Sequence, residues 1–168
     1  MDPIPQDTVE RAEDFFFKLD DKQVLDQIKD YEKIQPSIHK YLWVTDQIMK
    51  SPEIYILLSR FTLMFDYCFR SYPIELTIIK RDSVSYYVSQ EGIKSMCPNI
   101  PETSDIDTDK ALELIDQIHL TKIFKEKESL FMTEEPKEKR IIGSQIWLSL
   151  ITILHLYQDE AIKQPEKF

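Results

Sequence analysis

Apolar residues recur at helical spacing along most of the chain, and the first such run covers residues 7–19. Val9, Ala12, Phe16 and Leu19 fall three or four positions apart, which places them on one face of a helix. Asp7 or Thr8 supplies the cap, and Glu10 stands three residues after Asp7, as a capping box requires. Asp20-Asp21 restarts the chain as a second helix to about residue 34, with Val24, Leu25, Ile28 and Tyr31 as its face. Pro36-Ser37 breaks the chain and opens a third helix over residues 37–50, lined by Ile38, Tyr41, Leu42, Ile48 and Met49. Ser51-Pro52-Glu53 is the clearest start signal in the sequence. Serine caps well, proline suits the first helical position, and glutamate favours the positive end of the helix dipole. A fourth helix follows over residues 52–70, with a wide apolar face from Ile54 to Phe69, and Pro73 stops it.

The pattern changes over residues 74–90. Ile74, Leu76 and Ile78 alternate with polar positions, as do Val84, Tyr86 and Val88. Period two with β-branched and aromatic residues predicts a small β-hairpin. The competing pattern sets Leu76, Ile79, Ser83 and Tyr87 on one face of a further helix. Residues 91–108 read as a loop opened by a short helix over residues 92–97. Asp107 or Thr108 caps a helix over residues 109–120, lined by Leu112, Ile115 and Ile118. Helical pattern continues through Ile123, Phe124, Leu130 and Phe131 after a kink near Thr121. Residues 133–140 form a charged linker, and the last helix covers about residues 139–163. The expected fold is a mostly α, irregular bundle of about seven helices with one small hairpin. It forms a single domain over residues 1–168, with short flexible ends at 1–6 and 164–168. The helices over 52–70 and 140–162 are apolar nearly all round, so they are expected at the centre of the bundle.

Glycine is scarce: only Gly92 and Gly143. Phosphate-cradling loops need several glycines so that backbone N–H groups can approach an anion. Neither dinucleotide nor P-loop fingerprints can be built, and no cofactor is expected. The formal net charge is −9, which argues against a nucleic-acid partner because the phosphate backbone would be repelled. The acidity is uneven. Residues 1–32 and 99–135 each carry ten Asp or Glu against four Lys or Arg, whereas residues 33–98 carry six against eight. Two cysteines, Cys68 and Cys97, fit a reduced, cytoplasmic chain, and Cys97 is the thiol expected to be more exposed. The N-terminus lacks the basic and apolar regions of a secretory signal. Residues 141–158 carry no charge across eighteen positions. That run barely reaches the length of a membrane span and carries Ser144, Gln145, Ser149, Thr152 and His155, which are costly in lipid, so a buried helix is preferred to an anchor.

Candidate chemistry is sparse. His39, His119 and His155 match no metal-binding spacing. Glu113, Asp116 and His119, spaced i, i+3 and i+6, share one surface of the helix over 109–120, but the apolar set there leaves them toward water, and no metal site is expected. His155, in the apolar last helix, is a candidate for a pocket between helices, with a core role as the alternative. Aromatic residues are more suggestive. Phe15, Phe16 and Phe17 point about 100° apart in a helix, so one of them must leave the core. Tyr86 and Tyr87 would face opposite sides of a hairpin. Phe15, Phe17, Tyr86 and Tyr87 are therefore candidate partner-binding residues. The expected function is a non-enzymatic cytoplasmic module that binds another protein through such side chains, a helix groove or the hairpin edge. A small-ligand pocket between helices and a C-terminal membrane anchor are the alternatives.

Overall fold

Caps written into the sequence set the starts of the second and fourth helices, whereas the first helix begins after Pro5 with no side-chain cap, so the cap expected at Asp7 or Thr8 is not formed. The structure, a computed structural model, describes residues 2–72, 76–97, 111–131 and 137–163, with side chains in the last stretch described over 142–162. Helix α1 spans Gln6–Lys18. Helix α2, Asp21–Ile34, begins with a complete capping box. Asp20 Oδ1 accepts from the Gln23 N–H at 2.8 Å, and Gln23 Oε1 accepts from the Asp20 N–H at 2.9 Å. Helix α3, Pro36–Met49, carries proline in its first turn and ends at Lys50, which adopts a left-handed conformation with φ 51°. Helix α4, Pro52–Arg70, is capped by Ser51, whose Oγ accepts from the Ile54 N–H at 3.3 Å.

The described part of residues 74–90 contains no strand, so the expected hairpin is not formed there. Residues 76–80 run without regular structure, and helix α5 spans Arg81–Val88. Helix α6, Gln90–Met96, follows after Ser89 alone. Packing explains the difference from period two. Leu76, Ile79, Val84 and Tyr87 are buried, while Ile78, Tyr86 and Val88 are exposed. The buried set is essentially the helical alternative, because α5 lies between α3 and the last helix. Gly92 makes the sharp α5–α6 junction fit: a Cβ there would stand 2.1 Å from the Tyr86 carbonyl oxygen and 2.6 Å from Tyr87 Cα.

The helix expected over 109–120 is also revised. Residues 113–117 turn, and helix α7 runs over Ile118–Glu126, followed by a 3-10 turn over Glu128–Leu130. The break precedes Ile118 and is not a kink at Thr121. Helix α8 spans Lys137–Lys163. The caps expected at Asp107 and Thr108, most of the loop and linker, and the end at 164–168 lie outside the described residues.

Helix α4 packs against α1, α2, α3 and α8 and so forms the centre of the bundle. Ten of its residues are buried. In α8 every residue from Ser149 to Gln158 is buried, so the second half of the uncharged run lies within protein, while Ile142 and Gln145 in its first half are exposed. No helix among the described residues is long and apolar enough to cross a membrane. Phe61, Phe65, Phe124 and Phe131 meet edge-on or tilted at the core, with ring centroids 5.8–6.5 Å apart. The N-terminal stretch does not hang free: Ile4 is buried, and its N–H donates to Gln117 Oε1 at 2.7 Å.

Polar side chains join these elements. Arg60 on α4 donates from Nη1 to the carbonyls of Phe16 at 2.7 Å and Leu19 at 2.5 Å, and its Nη2 lies 3.2 Å from Asp21 Oδ1. It thereby satisfies carbonyls that α1 leaves unpaired at its end, where a cation is also favoured by the dipole. In the core, Tyr157 donates to Asp66 Oδ1 at 2.7 Å. Its only proton is thus committed, so Tyr31 donates to the Tyr157 oxygen across 2.7 Å. Asp66 Oδ2 accepts from Arg70 Nε at 2.8 Å.

Candidate functional site

Of the four aromatic candidates, the structure exposes two. Phe15 is 54% exposed and touches Phe16 edge-on at 5.0 Å. Phe17 is half-buried against Phe61 at 5.1 Å, with Lys127 Nζ 4.1 Å above its ring. Lys127 is fixed there by Glu13 at 3.0 Å. Phe17 is therefore a packing residue. Tyr86 is 43% exposed, whereas Tyr87 is buried. The two pairs belong to different walls, because α1 packs on α4 and α7 while α5 packs on α3, α6 and α8.

Tyr87 closes over His155. The two rings stack with centroids 5.8 Å apart, and the Tyr87 hydroxyl donates to Asp159 on the next turn of α8. Burial raises the Tyr87 pKa, and the Asp159 carboxylate raises it further. His155 is itself buried, and its Nε2 has no hydrogen-bond partner among the described residues. Burial lowers its pKa, against the pull of Asp159. A neutral imidazole stacked under a tyrosine and shielded from water is a core group.

The remaining candidates are dispersed. His119 lines a hollow of about 270 Å³ between α1 and α7, with Glu10, Glu13 and Glu126. Glu113 and Asp116 sit in the turn before α7 and border a different, shallower hollow. The broken helix thus separates the trio. Among the described residues no group of three His, Cys, Asp or Glu is placed to hold a metal ion. Cys97, expected to be the exposed thiol, is buried where α6 ends. Burial pushes its thiol up to about 11 and that of Cys68 up to about 12, which leaves both protonated and poorly nucleophilic at neutral pH.

A groove of about 500 Å³ runs between α3 and α5. Its α3 wall is Ser37, Lys40, Tyr41, Val44, Thr45 and Ile48, and its α5 wall is Arg81, Val84, Ser85 and Val88. Ile48 is 73% exposed, although its spacing with Ile38 and Met49 assigns it to the core. Val44 and Val88 are exposed beside it, and Trp43 is exposed on the same helix. Sequence reasoning missed this wall because α3 has apolar residues for two faces. Ile38 and Leu42 fill the inner face, so the outer set has nothing left to bury against within the chain. The available signal was the run Tyr41-Leu42-Trp43-Val44, which no single helical stripe can absorb.

Comparison with known protein families, with curated proteins and with solved structures yields no match for this chain, so the reading of the groove rests on its own geometry.

Proposed function

We propose that this protein is a non-enzymatic, cytoplasmic interaction module whose partner-binding surface is the α3–α5 groove. The observation that carries this reading is the contiguous exposure of Val44, Ile48 and Val88 along a formed groove. Exposed apolar residues scattered singly are ordinary on protein surfaces, whereas a rimmed apolar concavity marks a place where another surface is buried. The reduced thiols Cys68 and Cys97 are both unpaired, in keeping with a reducing compartment. The high thiol pKa values, the buried imidazole of His155 and the dispersed carboxylates favour binding over catalysis at neutral pH.

The test is site-specific photo-crosslinking in the source cells. A benzophenone amino acid at Ile48 is expected to yield a discrete adduct with another protein, and one at Asp26 on the exposed side of α2 is not. Val88→Asp on the opposite wall is expected to abolish the Ile48 adduct. No adduct at Ile48, or equal adducts at both positions, would sink the reading.

A further inference from the structure

The groove has a chemical bias that narrows its partner, an inference that rests on the interaction reading above. Its walls contain two cations, Lys40 and Arg81, and no acidic residue, in a chain whose formal net charge is −9. Neither cation forms an ion pair among the described residues. Both helices also begin at one place. Gln35, immediately before α3, accepts from the Ile79 N–H at 2.8 Å and donates to the Thr77 carbonyl at 3.1 Å, just before α5. The positive ends of the two helix dipoles therefore open at the same end of the groove, beside Lys40 and Arg81. An anionic group there meets two unpaired cations and two favourable dipoles.

The spacing of the walls defines the shape of the occupant. Positions 37, 40, 41, 44, 45 and 48 on α3, and 81, 84, 85 and 88 on α5, each step by three and one. This is the stripe a helix presents to another helix. From 37 to 48 the α3 stripe is about 16 Å long, room for about three turns. A second copy meeting this one groove to groove would bring its own Lys40 and Arg81 and supply no acid from its walls.

The geometry points to an amphipathic, acidic helix of a partner protein as the occupant. Its apolar stripe lies between Val44, Ile48, Val84 and Val88, and its carboxylates meet Lys40 and Arg81. Such pairs at a groove rim act mainly through partner selection and association rate, and the apolar stripe supplies the area that holds the helix in place.

The probe is a fluorescein-labelled peptide of about four helical turns, with leucines spaced i, i+3, i+4, i+7 and flanking glutamates. A twin replaces the glutamates with lysines. Fluorescence anisotropy at low salt is expected to show saturable binding of the acidic peptide, at least about tenfold tighter than its twin. Lys40→Glu/Arg81→Glu, two exposed positions whose retained fold is checked by a thermal melt, is expected to invert that preference. Ile48→Asp is expected to weaken both peptides. Equal binding of the two peptides, a preference that survives the charge reversal, or no binding by either overturns the acidic-helix inference. So does saturable occupation by dodecanoate in place of the peptide, or a dimer seen in sedimentation that Ile48→Asp dissolves. The adduct at Ile48 is read separately: its persistence with a failed peptide test discards the acidic helix alone, and its loss discards the interaction reading as well.

Discussion

Gln35 and Gln158 hold two different turns with the same pair of hydrogen bonds. Gln35 donates to the Thr77 carbonyl and accepts from the Ile79 N–H. Gln158 donates to the Leu114 carbonyl at 3.1 Å and accepts from the Asp116 N–H at 2.7 Å. In each case the side-chain amide serves residues i and i+2 as a paired strand would. Both glutamines are buried. The two irregular segments lack regular partners for these backbone groups, and a buried unpaired peptide group is costly.

Gln35→Ala removes both bonds of one clamp and is expected to destabilise the protein by about 2–3 kcal/mol, with Gln158→Ala similar. Urea unfolding checks this through the midpoint at unchanged slope. The two clamps share no partner, so the double variant is expected to equal the sum within about 0.5 kcal/mol. A cost below the error of the extrapolation would mean that water replaces the amide.

Tyr157→Phe is expected to cost about 2–4 kcal/mol, because it leaves the Tyr31 hydroxyl and Asp66 Oδ1 without their shared partner in the core. Tyr31→Phe is expected to cost only about 1 kcal/mol, since Tyr157 keeps its bond to Asp66. Burial raises both tyrosine pKa values well above normal. The folded state therefore resists ionisation, and its advantage is complete below about pH 10 and lost as pH rises toward the folded values. Equal costs for the two variants in denaturant titrations would contradict the order of donors along this chain.

His155 predicts a loss of stability on the acid side. Its folded pKa lies below the normal value because the ring is buried. Above about pH 6.5 it is neutral in both states. As pH falls, the unfolded chain takes up the proton first, and stability drops. Thermal midpoints measured between about pH 7.5 and about pH 5.5 are expected to fall less for His155→Phe, which keeps the stack on Tyr87, than for the parent. Identical slopes for the two would remove His155 from the titration.

Gly92→Ala is expected to destabilise by about 2–3 kcal/mol or more, because the added methyl would collide with backbone atoms of Tyr86 and Tyr87. The thermal midpoint should fall, and the near-ultraviolet tyrosine signal should change as Tyr87 shifts from His155. A neutral substitution would mean that the α5–α6 junction can open without loss.

The legible parts of the fold were those with local chemistry. Asp20, Pro36 and Ser51 mark the starts of α2, α3 and α4, and the uninterrupted apolar faces of α4 and α8 announce the centre. Residues 81–88 were not legible, because Val84, Tyr86 and Val88 fit period two while only Val84 enters the core. An eight-residue helix shows too few turns to overrule that alternation, and its neighbours α3 and α8 decide it. The turn at 113–117 depends on Gln158, more than forty positions away, which no local window contains. Among candidate site residues, Phe15 is exposed, in keeping with three consecutive aromatics on one helix, and Phe17 is not; Tyr86 is exposed and Tyr87 buried on a helix in place of the expected hairpin. The groove went unseen because a surplus apolar face and a buried one have the same composition.

The two glutamine clamps carry a kinetic consequence. Their four bonds span 42 or 44 positions along the chain, so none can form before long loops have closed. Helices α2 and α4 need no such wait, since their caps are contained in their own first turns. The segments around residues 77–79 and 114–116 should therefore join late in folding. Weakening a clamp should leave the folding rate nearly unchanged and shorten the lifetime of the folded state instead.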